Sequence, residues 1–171
     1  MKDKPDRFYC GDGEEHEHVA PRASMSGRTF RYQMVYGNYP AYAFAGMSNA
    51  QTRALIRGAM IELSKVSGAK FVESSKSPNV RFYFTKVPYN AIGAYMGKGK
   101  IYLSQTRKIT AAIAKICVQH EVGHYLGIKA SPAADKWGHC PTKSCVMNIN
   151  GTGPVWCEKC KSQLVRRYGK A

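Results

Sequence analysis

Two histidines four residues apart, with a glutamate after the first, are the clearest chemistry in this 171-residue chain: His120, Glu121 and His124 form HEVGH. On a helix, a spacing of four puts both imidazoles on one face, where they can bind one Zn²⁺. Glu121 then lies beside the metal as candidate general base toward a metal-activated water. Zinc in such a site brings the pKa of that water to about 7 and polarises a carbonyl under attack, most often that of a peptide bond. The rival reading is a chance match on a buried helix. Two features weigh against it: the run leading into the motif is strongly apolar, and Gly127 stands three residues past His124, where the chain must turn away.

Four cysteines follow in two short-spaced pairs, Cys140 with Cys145 and Cys157 with Cys160, the second pair being CxxC. Four thiolates so spaced make a closed tetrahedral site, the form structural zinc takes. Two disulfides are the alternative, opposed by the CxxC spacing and by the polar start MKDKPDRFYCGDG, which does not read as a signal peptide. Two Zn²⁺ per chain are therefore expected, one catalytic and one structural. Cys117, one turn before His120, reads as a buried structural thiol.

The elements that must position these groups are legible in outline. Thr29 to Tyr36 alternates Phe30, Tyr32, Met34 and Tyr36 with other residues, the period of a half-buried strand. Ser48 is a plausible N-cap for an amphipathic helix from Asn49 to Ser67, with Leu55, Ile56, Ala59, Met60, Leu63 and Val66 at helical spacing and Gly68 as the stop. Strands are expected at Lys70 to Glu73, Asn79 to Val87, Ile92 to Met96 and Lys100 to Ser104. A second helix, Ile109 to Leu126, carries HEVGH, with Ile109, Ala112, Ile113, Ile116 and Val122 on its apolar register. A short basic helix over Glu158 to Tyr168 should start from the CxxC and pack Leu164 and Val165 on the cysteine module, its basic face solvated or touching phosphates.

HEVGHYLG, HCPTKSCVM and CEKC together resemble the archaemetzincins, a metzincin family with a second zinc held by four cysteines. The order of helix, strands and active-site helix is also similar to a matrixin-type catalytic domain, and the likeness covers roughly residues 29 to 160. It implies an α+β metzincin-like fold, a twisted mixed sheet with an active-site helix and a second helix, plus a small C-terminal four-cysteine zinc module. It implies a zinc metalloendopeptidase with His120, His124 and His139 on the catalytic zinc, Glu121 as general base, and Cys140, Cys145, Cys157 and Cys160 on the structural zinc. Met147 would lie under the catalytic zinc in the Met-turn, or be plain core. The chain departs from the metzincin pattern at Ala130, where the third histidine is usual; His139, just before Cys140, takes that place, and Asp135 is the only other ligand candidate nearby. The domains expected are an acidic arm over 1–27, a catalytic domain over 28–139, and the Met-turn, cysteine module and C-terminal helix over 140–171. The strand pieces around residues 91–104 would include the edge strand that pairs with an extended peptide.

Charge adds a separate question. Lys and Arg number 26 against 11 Asp and Glu, a net +15 with a pI near 9.7. Residues 1–17 hold three cations and six acids, net −3, which leaves +18 on the rest. Such a body points to an anionic partner, nucleic acid or an acidic protein, beside the protein or peptide substrate. Cys10, near His16 and His18 in the acidic arm, would make an inhibitory zinc contact if the arm folds back, as the pro-segment cysteine does in matrixins. No apolar run reaches the roughly 18 residues needed to span a bilayer, so a cytoplasmic monomer without membrane contact is expected. Two rival functions are a SprT-like DNA-associated protease and a non-catalytic zinc-knuckle protein that binds nucleic acid.

Overall fold

The computed structural model describes residues 27–37, 43–87, 90–128, 138–149 and 153–169. In chain order the elements are β1 (Thr29–Val35), α1 (Asn49–Ser67), β2 (Lys70–Glu73), β3 (Val80–Thr85), β4 (Gly93–Tyr95), β5 (Lys100–Ser104), α2 (Ala111–Tyr125) and α3 (Glu158–Tyr168). The strands form one sheet in the order β2-β1-β3-β5-β4, in which β4 is an edge and runs antiparallel to β5 while the other pairings are parallel.

Local chemistry sets the helix limits. Ser48 accepts a hydrogen bond from the Gln51 amide and the Gln51 side chain accepts one from the Ser48 amide, so two orphan donors of α1 are satisfied reciprocally. Gly68, at φ 77°, ends the helix in the left-handed region. Thr110 caps α2 through the Ile113 amide. At the other end of α2, Gly127 (φ 73°) donates to the His124 carbonyl and Ile128 to that of Gly123, which turns the chain away just after the motif.

Alternation along β1 and β3 buries Phe30, Tyr32, Met34, Val80, Phe82 and Phe84 on one sheet face, where they meet Ile56, Met60 and Leu63 of α1 and Cys117, Val118 and Val122 of α2. Each large side chain so buried is worth roughly 1.5–3 kcal/mol. Phe30 joins three elements to this core, stacking on Phe71 of β2 and meeting Tyr125 of α2 and Tyr168 of α3 edge to face at 5.9 and 5.5 Å.

The apolar register expected for α2 needs correction. Ala112 is exposed and Ile113 and Ile116 are half-buried, whereas every residue from Cys117 to His124 is buried. The helix is enclosed on all sides over its last two turns, so its burial there has no helical period. In α3, Leu164 is buried as expected, but Val165 is 46% exposed, and Tyr168 takes the inward position.

Candidate active site and metal centre

His120 and His124 stand on one face of α2, and the Nε2 atoms of the two rings approach to 3.0 Å. His139, from outside the helix, stacks on His120 at 5.2 Å between ring centroids and meets His124 at 5.0 Å. All three side chains are buried, and one ring nitrogen from each lies within 4.8 Å of the others. Ligand nitrogens on a tetrahedral zinc at 2.0–2.1 Å stand about 3.4 Å apart, so this cluster needs only small adjustment to hold the ion. The tautomer agrees: Nδ1 of His120 lies 2.7 Å from the Val146 carbonyl, which can only accept, so Nδ1 carries the proton and Nε2 keeps its lone pair for a metal.

Glu121 is fully buried on the same helix. Its Cγ lies 3.2 Å from where a Cβ on Gly93 would stand, and Cys117 Sγ lies at 2.6 Å from that point. The glycine therefore lets edge strand β4 settle directly on the turn that carries the glutamate. Burial, and secondarily the Glu121 charge, pushes the Cys117 thiol well up, so this cysteine is inert packing.

Met147 lies beneath the motif. A Cβ at Gly123 would collide with its Sδ and would stand 3.2 Å from Trp156 Cη2, so the missing side chain inside HEVGH is what admits both. The indole of Trp156 donates to Gln119 Oε1 at 3.1 Å, and Gln119 in turn donates to Glu62 of α1 at 2.9 Å. The Met147 carbonyl accepts from the Cys140 amide at 2.7 Å, and the Asn148 side chain donates to the Cys140 carbonyl.

The four sulfurs of Cys140, Cys145, Cys157 and Cys160 form a second cluster, again within 4.8 Å of one another, with Cys140 and Cys157 at 3.6 Å. Edges of a tetrahedral zinc–thiolate site with 2.3 Å bonds are about 3.8 Å, whereas a disulfide needs about 2.05 Å. All five cysteines among the described residues are free thiols. Cys157 is the N-cap of α3 and Cys160 lies in its first turn, where the helix dipole favours thiolate. A hydrogen bond from Cys160 holds the Cys145 thiol down at about 5, aided by the Cys157 and Met147 amides against the cost of burial, while the donor Cys160 is pushed up.

The end of α2 is closed by α3. Arg167 donates to the carbonyls of Leu126 and Gly127, and the Tyr168 hydroxyl donates to Leu126 at 2.8 Å, so two carbonyls left over by the helix end are satisfied.

The sequence model of Astacin, a peptidase family, matches residues 33–133, more than half of the chain. The chain belongs to the astacin family. An archaemetzincin from Aeropyrum pernix is 34% identical to it over 59 residues, which cover 30% of this chain and 27% of that protein. Two solved structures of myroilysin share the fold, with TM-scores of 0.64 and 0.50 at 13% and 15% identity; each likeness covers 96% of this chain, and 92% and 71% of the myroilysin chains. Astacin-family membership and the archaemetzincin relative agree with the metzincin zinc peptidase that HEVGHYLG, HCPTKSCVM and CEKC resemble.

The structure thus brings His120, His124 and His139 together, buries Glu121 on the same helix against Gly93, places Met147 under the helix, and gathers the four cysteines. Cys10, His16, His18, Ala130 and Asp135 lie outside the described residues. Sequence reasoning missed the Val146 carbonyl, Gly93, Gly123, Trp156 and the Arg167–Tyr168 closure. Only the glycine inside HEVGH carried any signal of its own, since glycine within a helix costs about 1 kcal/mol and asks for a packing reason.

Proposed function

We propose that the chain is a zinc-dependent metalloendopeptidase in which His120, His124 and His139 hold the catalytic ion and Cys140, Cys145, Cys157 and Cys160 hold a structural one. The observation that carries this reading is the convergence of three buried imidazoles, one from outside the helix, on a helix that also buries Glu121. When bound, the catalytic zinc supplies Lewis-acid polarisation of a peptide carbonyl and makes a water reactive near neutral pH. Glu121 takes a proton from the attacking water on its carboxylate and returns it to the departing amine. Strand β4, an edge packed on the Glu121 turn through Gly93, offers backbone groups to an extended peptide, which fits affinity with little sequence preference.

Glu121→Ala tests the assignment of the base. With zinc content unchanged, kcat/KM on an unfolded protein substrate should fall about 10²- to 10⁴-fold. Digestion at the parent's rate would overturn it.

A further inference from the structure

The helices among the described residues pack on one sheet face, and side-chain alternation sends a different set of residues to the other. That second face carries Lys70 and Val72 from β2, Arg31 and Gln33 from β1, Arg81 and Tyr83 from β3, and Lys100 and Tyr102 from β5. The register is ordered. Gln33, Arg81 and Lys100 are partners across three strands, and Val35, Tyr83 and Tyr102 form the next row on the same face. Tyr83 and Tyr102 meet edge to face at 5.7 Å, and Tyr102 also packs on the small buried cluster of Val87, Ala91 and Ala94 that covers the β4 end of this face.

None of the four carboxylates of the described residues lies on this face. Glu62 pairs with Lys115, Glu73 turns inward to Arg53 and Arg57, Glu121 is buried at the site, and Glu158 begins α3. The four acids among the described residues therefore all lie away from this face, where Arg31, Lys70, Arg81 and Lys100 stand together without a described carboxylate among them. Exposed Lys86 and Lys98 follow at the ends of β3 and β4.

We propose that this sheet face binds single-stranded nucleic acid, the cations tracking phosphates and Tyr83, backed by Tyr102, stacking on bases. A cationic face alone fits any polyanion; an aromatic ring set among the cations fits unpaired bases, whose faces a duplex keeps covered. The inference rests on the sheet alone and is independent of peptidase activity.

Fluorescence anisotropy of a labelled single strand of about 16 nucleotides, with the full zinc-loaded chain, tests it. Four neutralised phosphates predict a slope of log K against log salt near −2.8 for a single strand. Arg31→Gln, Arg81→Gln and Lys100→Gln together should reduce its steepness by about 2. Tyr83→Leu should weaken binding about 5- to 100-fold with the slope unchanged. Urea midpoints and digestion rates like the parent's would show that both variants remain folded. The proposal fails if the slope ignores the triple substitution, or if a duplex of the same sequence binds as tightly. It also fails if polyglutamate or anionic lipid vesicles displace the strand while Tyr83→Leu has no effect.

Discussion

Substituting alanine for Gly123 tests the placement of Met147 beneath the active-site helix. An alanine there gains about 1 kcal/mol of helix propensity. Its methyl must also displace the Sδ of Met147, which is fully buried, and approach Trp156, which is 8% exposed. Overpacking of that kind costs about 1–3 kcal/mol, so the crowding should win by about 1 kcal/mol. Met147→Ala alone leaves a cavity and should cost about 2–5 kcal/mol. In the double variant the new methyl fills part of the space the thioether vacated, and its cost should fall short of the sum of the two single costs by about 1 kcal/mol. Urea unfolding of all four proteins at one fixed zinc concentration reads this directly, because bound metal adds equally to each apparent stability if the site is intact. Additivity within about 0.5 kcal/mol would refute the contact, and with it the reading of Met147 as the residue that supports the helix between its two histidines.

Metal analysis of the purified chain should find two zincs, one lost in His139→Ala and the other in Cys157→Ser; a His139→Ala protein that keeps both would remove His139 from the site. Gly93→Ala should lower kcat/KM about 10- to 100-fold with zinc retained, because its Cβ pushes β4 away from the Glu121 turn, and Cys117→Ala should restore part of the loss by clearing the sulfur at 2.6 Å; a parental rate in Gly93→Ala would exclude that packing. Burial pushes the Tyr168 phenol up to about 12. A raised pKa means that its stabilisation is whole below the ordinary value near 10 and is lost as pH rises through about 12. Tyr168→Phe should therefore cost about 1 kcal/mol at neutral pH and flatten the fall in Tm over that alkaline window; an unaltered pH profile would be the contrary result.

What the sequence made legible was local. Helix α1 runs from Asn49 to Ser67 as read, because its signals are a Ser48–Gln51 cap and a left-handed Gly68, both within one turn of its ends. The strands were legible from alternation, but Tyr36, included in the first of them, stacks on Phe84 just past the end of β1 and is 38% exposed. Spacing places helix α2 within two residues at each end, yet it does not give the buried face. Periodicity reports one apolar stripe, and here the sheet, α1 and the Met147 segment close around the helix together. At the site, side chains that bring chemistry were readable by type and spacing. The Val146 carbonyl that orients His120 was not, since every residue carries a carbonyl and only the fold decides which one arrives.

The histidine and cysteine clusters also share their supports, which spacing alone did not suggest. His139 and Cys140 are adjacent, so one turn of chain serves a histidine cluster and a cysteine cluster at once. The same short segment returns through Val146, whose carbonyl fixes His120, and through Met147, whose carbonyl holds the Cys140 amide. Beyond it, Trp156 binds Gln119 just ahead of His120, and α3, which begins at Cys157, closes the far end of α2 with Arg167 and Tyr168. A cysteine cluster that loses its geometry thereby loosens α2 at Gln119, at its C-terminal end and from below. The four cysteines thereby anchor the segments that pack around the three imidazoles, and energetic coupling of this kind must run equally in both directions.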